Sequence, residues 1–131
     1  MQSGDELGPF RFQVTREQLV RYAGASDDYN PIHYDDALAQ SLGLPGIIVH
    51  GMLNMGLIAR YVMAALPEGT QLEQYGVRFR QMVQPGQDLM VTARVREADA
   101  AAARLDVQLA VEGGKPAVMG KMTVRFPGAL G

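Results

Sequence analysis

The sequence predicts an α+β domain, with a mostly antiparallel sheet of about five strands packed on one long helix. Two observations carry this. From Gly51 onward, Leu53, Met55, Leu57, Ile58, Tyr61, Val62 and Ala65 form a helical pattern that is apolar nearly all round, as buried helices are. Behind it come four strand-like segments in succession, separated by glycine and proline turns. Strands joined by short turns pair antiparallel and need a helix or second sheet to cover one face.

The elements follow in order. Phe10-Arg11-Phe12-Gln13-Val14 alternates apolar and polar, as a half-buried strand does. Thr15 lies three residues before Gln18, a capping-box spacing, and opens a short helix through Leu19, Val20, Tyr22 and Ala23. Gly24 and Pro31 are expected to bracket a loop. A second short helix starts at Asp35 or Asp36, capped by that aspartate, and stops at Gly43. The long helix begins at Gly51 and ends at Pro67 and Gly69. The strands then run over about 71–83, 87–98, 102–112 and 115–126. Pro85-Gly86 and Gly113-Gly114 supply turns, the latter suited to a tight hairpin.

Composition narrows the function classes. At 131 residues the chain fits one domain, 1–131, with a core of ordinary size. Charged residues at 20% and apolar residues at 47% argue for a folded soluble domain. A net charge of -2 with scattered Lys and Arg gives no nucleic-acid footprint. The absence of cysteine excludes disulfides, thiolate catalysis and cysteine zinc sites. The N-terminus, Met1-Gln2-Ser3-Gly4-Asp5-Glu6, lacks the basic and apolar runs of a secretory signal. Asn54 and Arg60 interrupt an apolar pattern already too short to span a bilayer. These readings point to a cytoplasmic protein that engages neither membrane nor nucleic acid.

Chemistry concentrates in Ser26-Asp27-Asp28-Tyr29-Asn30-Pro31-Ile32-His33, followed by His50-Gly51-Met52 at the start of the long helix. Asp28 and His33 supply an acid/base pair, since imidazole titrates near neutrality and a carboxylate stays ionised unless buried. A backbone N–H at the helix start, most simply that of Gly51, offers an anion-stabilising donor aided by the helix dipole. Asp, Asn and Pro also favour turns, so Asp27 reads as structural, and Asn30 as a brace that helps orient His33. His50 reads first as a helix-start residue. Met55 and Met63 read as core filler, and Met52 as the methionine that faces an apolar chain.

Asp28-x-Asn-Pro-x-His33 followed by Gly46-Ile-Ile-Val-His-Gly-Met52 resembles the signature of the MaoC-like hydratase/dehydratase branch of the hotdog-fold superfamily. The similarity covers nearly the whole chain. Tyr22-Ala-Gly, His50-Gly-Met-Leu-Asn-Met-Gly and Tyr75-x-Val-Arg-Phe are most similar to the catalytic subunit of the mycobacterial-type fatty acid dehydratase. The resemblance implies a five-stranded sheet wrapped around the central helix. It also implies reversible hydration of trans-2-enoyl, or dehydration of (3R)-3-hydroxyacyl, thioesters of CoA or acyl carrier protein. In that reading Asp28 and His33 act on the catalytic water and the Gly51 amide holds the thioester carbonyl, while Asn30, Val49, His50 and Met52 form the substrate-binding set. No cofactor and no metal are implied. Two positions depart from the pattern: Ala59 stands where some (R)-specific hydratases carry serine, and Asp27 where the family often has glycine.

Three alternatives stay open. Hotdog proteins include thioesterases that act on the same substrates with a carboxylate-activated water. The chain can be the catalytic half of a heterodimer, although an uncovered sheet edge and face favour a homodimer. Asp28, His33 and His50 form a nominal iron-type ligand set, but at a spacing that matches no metal motif.

Overall fold

The computed structural model describes residues 1–128, so the last three residues of the expected 1–131 domain lie outside the described residues. Five strands, β1 (Glu6–Phe12), β2 (Gln71–Phe79), β3 (Leu89–Ala98), β4 (Ala102–Val111) and β5 (Pro116–Arg125), form one sheet in the order β1-β3-β4-β5-β2. Every neighbouring pair is antiparallel. Helices α1 (Arg16–Ser26) and α2 (Asp36–Ser41) flank a short 3₁₀ turn, Pro31–His33, and α3 (Gly51–Ala64) is the long helix. This is the hotdog arrangement.

Alternation along the strands makes the core. Leu89, Val91 and Val95 of β3, Leu105 and Leu109 of β4, and Val118, Met122 and Val124 of β5 are essentially fully buried. They join Leu57, Ile58 and Val62 of α3 in a single cluster. The other face of the same strands carries Arg94, Asp106, Lys121 and similar residues, so the sheet is apolar on the helix side and charged on the far side.

Most elements lie where the sequence places them, with three informative shifts. The first strand is Glu6–Phe12 rather than 10–14. Its register slips between Leu7 and Phe10, where Gly8 and Pro9 sit. Proline is tolerated on an edge strand at such a bulge, and a Cβ on Gly8 would lie 2.7 Å from the Val91 carbonyl. Helix α1 runs through Gly24 and ends only at Asp27, which adopts the left-handed conformation at φ 60°. Strand β2 stops at Phe79 instead of 83. Arg80 and Gln81 both donate to the Ala117 carbonyl, which turns the chain so that Val83 accepts from Val49 N at 2.7 Å. That last bond fixes the segment leading into α3.

Candidate active site

The site is built by a chain of short-range hydrogen bonds. Thr15 and Gln18 close the expected capping box and start α1. After Asp27 reverses the chain, Asp28 N donates to Ser26 Oγ, Asn30 N to Asp28 Oδ1, and Ile32 N to Asn30 Oδ1, each at 3.3 Å. Asn30 therefore braces the loop, and Pro31, with its fixed φ, opens the 3₁₀ turn that ends on His33. Asp35 caps α2 through Leu38 N. Asp36 accepts from Ile47 N at 3.0 Å and pairs with Arg16 at 2.7 Å, and these contacts hold its carboxyl below the usual carboxylate range.

His33 is buried, and its Nδ1 lies 2.8 Å from the Ile48 carbonyl. A carbonyl only accepts, so Nδ1 carries the proton and, in the neutral ring, Nε2 presents a lone pair. That Nε2 is 3.9 Å from Asp28 Oδ2. The gap is too long for a direct hydrogen bond and admits one shared oxygen between two acceptors. The Asp28 side chain is half exposed, so the pair opens to solvent on the carboxylate side.

His50 sits directly behind this pair. It is 1% exposed, its ring stacks on His33 at 3.7 Å with planes 20° apart, and Tyr22 meets it edge-on at 4.7 Å. Its Nε2 lies 3.3 Å from the Asp28 backbone carbonyl, to which it donates, leaving a buried Nδ1 without a partner. Burial first, and then the neighbouring His33, push the His50 pKa down, so the ring is neutral at neutral pH. No side chain caps α3, so its first amides are left for other acceptors. A Cβ on Gly51 would come within 3.2 Å of the Phe79 ring. Val49 is buried, with its N–H committed to Val83, whereas Met52 is 61% exposed.

The structure thus brings Asp28, His33 and His50 together at the start of α3, next to Gly51, with Asn30 bracing the loop and Val49 buried behind it. Three participants have roles that the sequence does not signal. Tyr22 was visible as part of a motif, but nothing in the sequence links it to His50. The Ile48 carbonyl, which sets the His33 tautomer, has no side-chain signal. Phe79 reads as a strand residue, and only the fold carries it to Gly51. Buried Asn54 on α3 keeps an Oδ1 without a partner.

Ligand atoms of Asp28, His33 and His50 lie within 4.8 Å of one another. Even so, they do not suit a metal ion. Imidazole binds a metal in its ring plane at about 2 Å, and two rings stacked face to face direct their lone pairs along separate parallel planes.

Residues 4–113 match the family described as MaoC like domain. This chain belongs to that family. Among curated relatives, the (R)-specific enoyl-CoA hydratase of Aeromonas caviae is 31% identical over 114 residues, 84% of each chain. The mitochondrial 3-hydroxyacyl-[acyl-carrier-protein] dehydratase of Arabidopsis thaliana is 32% identical over 87 residues, 66% of this chain and 51% of the relative. The chain spans only 4% of another relative, the fatty acid synthase beta subunit TOXC of Cochliobolus carbonum. Among solved structures, the A. caviae (R)-hydratase superposes with a TM-score of 0.90 at 25% identity, covering 97% of this chain and 98% of its own. The Pseudomonas aeruginosa R-hydratase PhaJ1 gives 0.89 at 29% identity, covering 97% and 83%.

Proposed function

We propose that this MaoC-like domain is a lyase that adds water to trans-2-enoyl thioesters and removes it from (3R)-3-hydroxyacyl thioesters. The observation that carries this is the 3.9 Å separation of His33 Nε2 and Asp28 Oδ2, beside the uncapped start of α3 at Gly51. A water held there donates one hydrogen bond to each acceptor. One member of the pair takes a proton as the water oxygen bonds C3. The electron pair moves to the thioester oxygen, where the Gly51 N–H and the helix N-terminus stabilise it. The pair then returns its proton to C2, and elimination runs the same steps backwards.

In this reading Asn30, Val49 and His50 position the machinery, while Gly51 and Met52 meet the substrate. The exposed apolar side chains Met52, Phe79 and Met82, near the bare edge of β2, support pairing with a second copy of the chain to cover that edge. No helix among the described residues is long and apolar enough to cross a membrane.

The test is hydration of crotonyl-CoA, followed by loss of enoyl-thioester absorbance with chiral analysis of the product. (R)-3-hydroxybutyryl-CoA is expected. Release of free CoA without hydration would overturn the reading in favour of a thioesterase. A sizing measurement on the same sample checks the dimer.

A further inference from the structure

Among the described residues only three polar side chains are buried: His33, His50 and Asn54. The two histidines belong to the candidate active site, and Asn54 lies one turn further along α3. Its companions on the buried face of that helix are Leu57, Ile58 and Val62. An asparagine in this position is unfavourable on two counts. It is a weak helix former, and its amide is withdrawn from water. Nor does it serve as a cap, since its backbone N–H already donates to the His50 carbonyl at 3.1 Å.

Buried polar groups are nearly always paired, so an unpaired one calls for a partner. Two side-chain atoms, Asn54 Oδ1 and His50 Nδ1, are buried with no partner in hydrogen-bonding range. They belong to residues four apart and joined through their backbones, the spacing at which helix side chains become neighbours. Their chemistry also matches. His50 Nε2 donates to the Asp28 carbonyl at 3.3 Å, so in the neutral ring Nδ1 is a lone pair. The Asn54 Oδ1 likewise only accepts. Two acceptors cannot bond each other, but one water, with a hydrogen for each, joins them.

The consequence falls on the His50 ring. Its bond to the Asp28 carbonyl is long, and the rest of its support is contact, from His33 stacked at 3.7 Å and Tyr22 edge-on at 4.7 Å. A second bond, at the other ring nitrogen, fixes the tilt of the ring. With it are fixed the Asp28 carbonyl and the surface against which His33 rests.

We propose that Asn54 is a positioning residue, which anchors the His50 ring through one buried water shared by Asn54 Oδ1 and His50 Nδ1. The inference rests on the hydratase reading above and extends its machinery one residue into the core. Asn54 acts through His50 and not on the substrate.

The experiment compares wild type with Asn54→Leu, which keeps a branched side chain of similar length and removes its polar atoms. Crotonyl-CoA hydration is measured beside the NMR resonances of the histidine ring nitrogens, which a chain with two histidines makes simple to assign. The variant should be at least as stable as wild type, because its new side chain suits the apolar face. Its kcat should fall about three- to tenfold, the worth of one hydrogen bond, with KM within about twofold. The His50 Nδ1 resonance should move downfield, from a lone pair that accepts a hydrogen bond to a bare one. An unchanged kcat, or a lowered kcat with Nδ1 unmoved, overturns the proposal. Should the variant fail to fold, the wild type decides: Nδ1 resonating as a bare lone pair overturns the link, and as a bonded one supports it. Wild type that does not hydrate crotonyl-CoA, while the Nδ1 shift appears, would overturn the hydratase reading and leave the link between Asn54 and His50 standing.

Discussion

The segment 27–50 and the strands β3 to β5 are held together by different forces. The strands rest on burial: Leu89, Val91, Leu109, Val118 and Val124 are 0% exposed, and each forms part of one apolar cluster. The segment joins that cluster at its end, through Ile47 and Val49, and its earlier part is shaped by side chains that bond backbone, from Ser26 to Asp28, Asp28 to Asn30, Asn30 to Ile32, and Asp36 to Ile47. Burial is non-directional and tolerates a change of apolar shape. Hydrogen bonds in series fix angles, and that is what a proton-transfer pair requires. Stability and catalytic geometry are therefore expected to respond to different substitutions.

The sharpest separation of the two is Asp28→Asn. It preserves shape and the oxygen that accepts from Asn30 N, and removes the charge. Hydratase turnover should fall by about 10²- to 10⁴-fold with the melting temperature unchanged. A thermal scan showing a large loss of stability would move Asp28 to the structural side. Leu105→Ala probes the opposite region. A side chain only 1% exposed is truncated, and chemical denaturation should report a loss of about 2–5 kcal/mol. At a temperature where the variant stays folded, its kcat should remain within about twofold of wild type.

His50 belongs to both regions, packed like a core residue and bonded to the Asp28 carbonyl. His50→Phe keeps the stacking and loses that bond, so kcat is expected to drop about ten- to a hundredfold through misplacement of the pair. The ring also predicts a pH effect. Its pKa is lowered from 6.5 in the folded state, so the unfolded chain binds more protons as pH falls. The stability this contributes is full above about pH 6.5 and is lost as pH falls from there through the folded-state pKa. Melting temperatures from pH 8 to 5 should show that decline in wild type and a shallower one in His50→Phe. The smallest effect belongs to Asp27→Gly. Relief of the left-handed backbone is largely offset by a freer unfolded chain, so stability should rise by up to about 0.5 kcal/mol with activity intact.

The same contrast decides which parts of the structure are legible in the sequence. The back half was legible because alternation along β3, β4 and β5 reports directly which side of each strand is buried. Helix α3 is legible through an apolar pattern interrupted only by Asn54 and Arg60, and the start of α2 through Asp35. Boundaries failed where backbone geometry overrode residue preference. Gly24 looked like a stop, yet the helical bonds continue to Ser26 and the reversal falls on Asp27. Pro9 hid the beginning of β1 inside a bulge. For the site, the sequence named Asp28, His33, His50 and Gly51 as candidates. It was silent on the Ile48 carbonyl, which selects the tautomer, and on Phe79, which arrives at Gly51 only through the antiparallel return of β2.

One tie described by neither pattern remains. The Tyr75 hydroxyl donates to the Met55 carbonyl at 2.7 Å, joining the outermost strand to the second turn of α3. Burial pushes the Tyr75 pKa up to about 12, so the phenol keeps its proton across any working pH. An edge strand ordinarily frays by itself. Here the amides of β2 around Tyr75 and those of α3 around Met55 should exchange with deuterium as one cooperative group, and Tyr75→Phe should split that group in two.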